Sequence, residues 1–177
     1  MWDTKVTDIS FLEQLPNLRL LGLSDCPKVR DISPIAALKN LEVLDLSGGM
    51  WSTFRPMTLK PLEGLSNLWG LSLKAMRVGD QSLEPVAGLK NLQVLELSNQ
   101  FPTLEYARLS VALPDTKCDH FEPFLDFNAG SRAKQVMVTG KGKPVLKLPE
   151  EQVRLDHYVA QFRALQDSFR ERYRRSS

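Results

Sequence analysis

The sequence predicts an α/β fold: a right-handed solenoid of short parallel strands and short helical or 3-10 turns, with a C-terminal hairpin and an amphipathic helix as its cap. Three observations carry this reading. A 15-residue pattern recurs four times before residue 100. Each copy ends in leucines that alternate with strand period. The last segment of the chain instead places its apolar residues three and four apart, which is helix period.

The four copies begin at Ile9, Ile32, Leu59 and Leu83 and read ISFLEQLPNLRLLGL, ISPIAALKNLEVLDL, LKPLEGLSNLWGLSL and LEPVAGLKNLQVLEL. Leu12, Leu15, Leu18, Leu21 and Leu23 mark the apolar columns in the first copy. Asn17, Asn40, Asn67 and Asn91 share a column, as do Pro34, Pro61 and Pro85. From Leu23 to Leu46, Leu73 and Leu97 the copies advance by 23, 27 and 24 residues. In each, the stretch before the strand reads as a helical turn. Ser33 is placed to cap one and Pro34 to open it, and Ser10 with Glu13 has capping-box spacing. One strand and turn cannot bury its own apolar edge, so the copies must stack into one parallel sheet over a shared core. A buried leucine contributes roughly 1.5–3 kcal/mol to such a core.

Leu18-x-x-Leu21-x-Leu23-x-x-Cys26 resembles the leucine-rich-repeat family, whose core is L-x-x-L-x-L-x-x-N/C. Asp8-Ile9-Ser10 and Asp31-Ile32-Ser33-Pro34 resemble its internalin-type branch. The later copies keep the leucines but hold Gly49, Met76 and Gln100 where Asn or Cys is usual. The resemblance covers roughly residues 5–100 and implies the solenoid fold, with macromolecular binding as its usual use.

A degenerate fifth copy is expected around Leu113-Pro114-Asp115-Thr116, preceded by a longer helix from Thr103 with Leu104, Ala107 and Val111 on one face. The repeats then occupy residues 1–125, and residues 126–177 form an appendage. There, residues 126–131 read as a loop, and 135–139 and 144–148 as strands around the turn 140–143. Val153, Leu155, Tyr158, Val159, Phe162, Leu165, Phe169 and Tyr173 define the terminal helix. That helix is expected to pack on the hairpin and on the end of the repeats.

Composition narrows the function. The net charge is +2, from about −3 over residues 1–125 and +5 over 126–177. This balance, with Phe169 and Tyr173 on the apolar helix face, argues against nucleic acid as partner. Nothing approaches the roughly 20 apolar residues of a bilayer span, and a membrane partner is not expected. Two cysteines make no disulfide framework, and the first ten residues lack signal-peptide character, so a cytoplasmic location is expected. Gly140-Lys141-Gly142-Lys143-Pro144 lacks phosphate-loop spacing and reads as a hairpin turn. Cys118, His120 and His157 are too few for a structural zinc set. No catalytic residues, metal or cofactor are expected, and the chain is not expected to be an enzyme. The alternative is the recognition or regulatory part of one whose catalytic residues lie outside the repeats.

What remains is a binding surface for a protein or peptide. Strand residues between the leucines point to the concave side. They form an apolar row (Leu20, Val43, Gly70, Val94) beside a mildly acidic one (Gly22, Asp45, Ser72, Glu96) and a third (Ser24, Ser47, Lys74, Ser98), with Asp25 and Asn99 at the strand ends. The 27-residue spacing adds a loop at residues 48–57 that contains Trp51, Phe54 and Arg55. Candidate binding residues are therefore Asp25, Asp45, Trp51, Phe54, Arg55, Lys74, Glu96 and Asn99. The first strand also has no polar cap ahead of it, so its edge is expected to meet either further repeats or a second copy of the chain.

Overall fold

A computed structural model describes residues 5–49, 52–127 and 134–176. Four short strands, β1 (Leu20–Gly22), β2 (Val43–Asp45), β3 (Gly70–Leu73) and β4 (Val94–Leu97), form one parallel sheet in chain order. The register follows the repeat: Leu21, Leu44, Leu71 and Leu95 sit level across it. Single 3-10 turns at Ser10–Gln14, Ser33–Ala37, Lys60–Leu62 and Glu84–Gly88 return the chain to each next strand. The fifth copy supplies one rung, where Lys117 bridges Val94.

The repeat columns have distinct physical roles. The leucine columns build one continuous core, from Ile9 and Leu12 through Leu44, Leu71 and Leu95 to Leu113. The asparagine column stitches neighbouring turns. Asn40 donates to the Pro16 carbonyl at 3.0 Å, Asn67 to that of Lys39 at 2.8 Å and Asn91 to that of Ser66 at 2.7 Å. In the fifth copy, the Thr116 hydroxyl reaches the Leu92 carbonyl at 2.6 Å. The serines expected to cap the turns do not: the aspartate two residues earlier accepts from the serine N–H instead. Asp8 holds Ser10 at 2.9 Å, Asp31 holds Ser33 at 2.8 Å and Asp80 holds Ser82 at 3.1 Å. Asp-x-Ser is thus an Asx-type turn, which settles a backbone donor a 3-10 turn would leave open. The Ser10–Glu13 capping box does not form, because the Ser10 hydroxyl is also taken by Asp8.

Past β4 the chain forms helix α1 (Thr103–Ala112), which closes the stack. Tyr106, Ala107 and Leu109 face the core, whereas Leu104, expected there, stands exposed. A three-stranded antiparallel sheet follows: β5 (Phe124–Asp126), β6 (Lys134–Val138) and β7 (Val145–Leu148). β5 falls just before and into the stretch read as a loop. Its three residues are too few to show a period, and only the pairing of Leu125 with Met137 reveals it. Helix α2 (Gln152–Ser176) packs along α1 and the small sheet. Its Phe162 enters the repeat core while Leu155 joins Val136, Val138 and Leu146 in a second cluster. Val153 and Tyr173, part of the expected apolar stripe, are exposed. No described helix is long and apolar enough to cross a membrane.

Candidate binding surface on the concave sheet

Because side chains alternate along a strand, Leu21, Leu44, Leu71 and Leu95 point towards the core and the residues on either side of them line the opposite face. Two adjoining depressions run along it. One, of about 340 Å³, lies over β2–β4 and is lined by Val43, Trp69 and Val94 together with Asp45, Lys74 and Glu96. The other, of about 410 Å³, shares Lys74, Val94 and Glu96 and extends to Lys117, Cys118 and His120. Gly70 leaves the floor low between Val43 and Val94, and a side chain there would press on the Val43 methyls at 3.4 Å.

The polar groups are pre-arranged. Lys74 and Glu96, both about half exposed, pair at 2.8 Å across β3 and β4. The Lys74 ammonium, helped by Ser72, draws the Glu96 carboxyl below its usual range. Asp45 accepts from the Ser47 N–H at 3.0 Å and from the Ser24 hydroxyl at 3.2 Å, and Ser47 in turn meets Ser72 at 3.1 Å. At the C-terminal end His120 is buried and stacked on Tyr106, with centroids 5.4 Å apart. Burial holds the imidazole below its ordinary value and pushes the Cys118 thiol up to about 12. Both shifts favour the neutral forms, the opposite of the thiolate–imidazolium pair a nucleophilic cysteine needs. Among the described residues there is no cluster of three or more potential metal ligands.

Of the sequence-derived candidates, the fold brings Asp45, Lys74 and Glu96 together on this face. Four others lie elsewhere. Phe54 is fully buried, because its segment runs extended beside Met76 and alternation turns the ring into the core. Its neighbour Arg55 therefore points outward, along the side of the solenoid and away from the sheet. Asp25 has φ 59° and receives the Ser52 hydroxyl, which commits it to anchoring the loop after β2. Asn99 donates to the Val138 carbonyl at 2.9 Å and accepts from the Gly140 N–H at 2.5 Å, fastening the appendage to the last repeat. Trp51 lies outside the described residues. Conversely, Trp69, 43% exposed beside the apolar row, joins the site from outside the sequence-derived candidates. Its signal was available: the same column holds Arg19, Glu42 and Gln93, so an indole there is out of keeping with its repeats.

A curved parallel sheet of leucine strands, backed by 3-10 turns and stitched by an asparagine column, defines a repeat solenoid with an open concave face. No family model matches the chain. It is 33% identical over 86 residues to a probable disease resistance protein of Arabidopsis thaliana, a match that covers 49% of this chain and 7% of that protein. Among solved structures it resembles internalin C2 of Listeria monocytogenes, at 26% identity and TM-score 0.50 over 64% of this chain and 46% of that one. A second internalin of that organism (inlF) gives 28% identity and TM-score 0.50 over 64% and 31%. The chain thus spans under half the length of each of these three proteins. These likenesses support a leucine-rich-repeat solenoid, a fold whose stacked repeats serve generally as protein-interaction modules.

Proposed function

We propose that this chain is a protein-interaction module whose concave sheet takes a protein or peptide segment with an apolar anchor next to a basic group. The observation that carries the reading is the groove over β2–β4, where Val43, Trp69 and Val94 form an apolar floor and wall directly beside Asp45 and Glu96. An exposed tryptophan in a concave, partly desolvated site is the residue type that most often dominates an interface. The acidic pair gives a basic side chain its register, and the Lys74–Glu96 bridge offers a carboxylate already positioned by its partner. The loop at 48–57 contributes less than the sequence suggests, since Phe54 is in the core. The reading keeps a cytoplasmic location, supported by two cysteines that remain free thiols.

The test is affinity capture with the wild type and a Trp69→Ala/Glu96→Arg variant, followed by titration of the captured partner. Both changed side chains are substantially exposed, so the melting temperature should hold within a few degrees. A partner retained by the wild type and lost by the variant supports the concave groove. A partner held equally by both rules that groove out.

A further inference from the structure

Along the side of the solenoid, beyond the C-terminal ends of β1, β2 and β3, the chain forms adjoining strips. The strips are joined by backbone hydrogen bonds. Met57 donates to Arg30 at 3.0 Å, Phe54 to Ala75 at 3.2 Å, Arg77 to Phe54 at 2.8 Å and Gly79 to Pro56 at 3.0 Å. The approach is close enough that a Cβ on Gly79 would sit 2.7 Å from the Met57 carbonyl oxygen. Phe54 and Met76 pair as a parallel bridge, which sets Arg55 level with Arg77 on adjoining strips about 5 Å apart. Their chain neighbours Phe54 and Met76 are buried, so both arginines point out.

Those two arginines share a depression of about 410 Å³ with Arg30 from the preceding repeat and Lys141 from the β6–β7 turn. Lys141 is delivered there by a built contact. Its N–H donates to the Phe101 carbonyl at 2.7 Å, and the neighbouring Gly140, at φ +132°, fits a conformation closed to other residues. Its ammonium rests on the neutral Gln81 amide oxygen at 2.8 Å. Among the described residues no carboxylate lines the depression. The nearest acids in sequence, Asp31 and Asp80, each serve a turn N–H. Elsewhere on the repeats Arg19 pairs with Glu42, Lys74 with Glu96 and Arg108 with Glu105. Among the described residues no such ion pair includes Arg30, Arg55, Arg77 or Lys141. Like charges in register on neighbouring strips repel, a cost that a bound anion would relieve.

We propose that this strip is a second docking site, separate from the concave groove, for an acidic peptide segment of a protein partner. The cations are spread over three successive repeats and the hairpin turn, which suits several carboxylates along an extended chain better than one compact anion. Guanidinium forks match carboxylates in bidentate fashion. Met57, 66% exposed within the site, offers an adaptable thioether to an apolar side chain between the acids.

The experiment is fluorescence anisotropy on the full chain with a fluorescein-labelled peptide of alternating glutamate and leucine, beside a matched glutamine–leucine peptide. The glutamate peptide is expected to bind with an affinity that falls as salt rises, and the glutamine peptide to bind at least roughly ten-fold more weakly. Arg55→Glu/Arg77→Glu should weaken binding by roughly a hundred-fold. Arg55→Lys/Arg77→Lys, which keeps charge but loses the forks, should cost about ten-fold. Trp69→Ala/Glu96→Arg should bind this peptide like the wild type, so failure of the groove and failure of the strip are told apart. At low salt Arg77→Gln should melt at or above the wild-type temperature. Equal binding of the two peptides, undiminished binding by the charge-reversed variant, or a lower melting temperature for Arg77→Gln would overturn the proposal. So would binding of single-stranded DNA or phosphatidylserine vesicles through the same arginines without binding of the glutamate peptide.

Discussion

At the N-terminal end of the repeat stack Phe11 and Leu15 stand 55% and 45% exposed, whereas in the last full repeat the residues of the same columns, Pro85 and Leu89, are buried, with α1 packed on that turn. The repeat pattern is the same at both ends, so the difference lies in what covers it. At the C-terminal end polar devices do part of that work. Glu105, buried, accepts from the Leu83 N–H at 2.6 Å and pairs with Arg108 at 2.9 Å, and Arg108 in turn lies over the Phe169 ring. The Tyr106 hydroxyl donates to the Ser98 carbonyl at 2.5 Å and accepts from the Phe101 N–H at 3.1 Å. A solenoid end exposes backbone donors as well as leucines, and covering it requires acceptors as much as apolar area.

The sharpest contrast lies within one column. Leu44→Ala, in a fully buried site, should cost about 3–4 kcal/mol, while Leu21→Ala, half-buried beside the uncovered edge, should cost about 1 kcal/mol in denaturant unfolding. Equal losses would mean the first repeat is as well packed as the second. At the covered end, Phe162→Ala removes the ring with which α2 enters the repeat core and should cost roughly 3 kcal/mol. If it costs nothing, α2 is an ornament on the stack. Glu105→Gln weakens the acceptor for Leu83 and leaves Arg108 without its buried anion, for a loss of roughly 2 kcal/mol.

The smallest effect belongs to pH. Burial holds His120 below its ordinary value, against the weaker pull of Asp119, so the unfolded chain takes up a proton that the folded chain resists. Its contribution is therefore complete above pH about 6.5 and drains away as the pH falls from there through the folded value, by at most about 1.4 kcal/mol per pH unit. His120→Phe, which keeps a ring against Tyr106, should flatten that slope in thermal melts between pH 7 and pH 5. An unchanged slope would place the titration elsewhere.

The stack was legible in the sequence because its signals are local and repeated: leucine alternation, and columns of asparagine and proline at near-constant spacing. The appendage helix was equally plain from its period. What escaped depends on contacts between segments far apart in the chain. Asp25 and Asn99 sit at outward positions by alternation, yet a loop and a hairpin claim their side chains. Phe54 is buried only because the inserted segment pairs with Met76. The arginine strip was hidden for the same reason. Arg55 lies four residues before Leu59 and Arg77 six before Leu83, so no repeat column aligns them, and only the bridge beside them does.

Amide hydrogen exchange on the free chain, resolved to short peptides by mass spectrometry, tests the central contrast most directly. Both proposed surfaces need a rigid scaffold, and that scaffold should be firmest where it is covered. Slow exchange is expected across β2–β4 and α1, with markedly faster exchange through β1 and the Ser10–Gln14 turn. Uniform protection from β1 to α1, or faster exchange in α1 than in β1, would contradict the account.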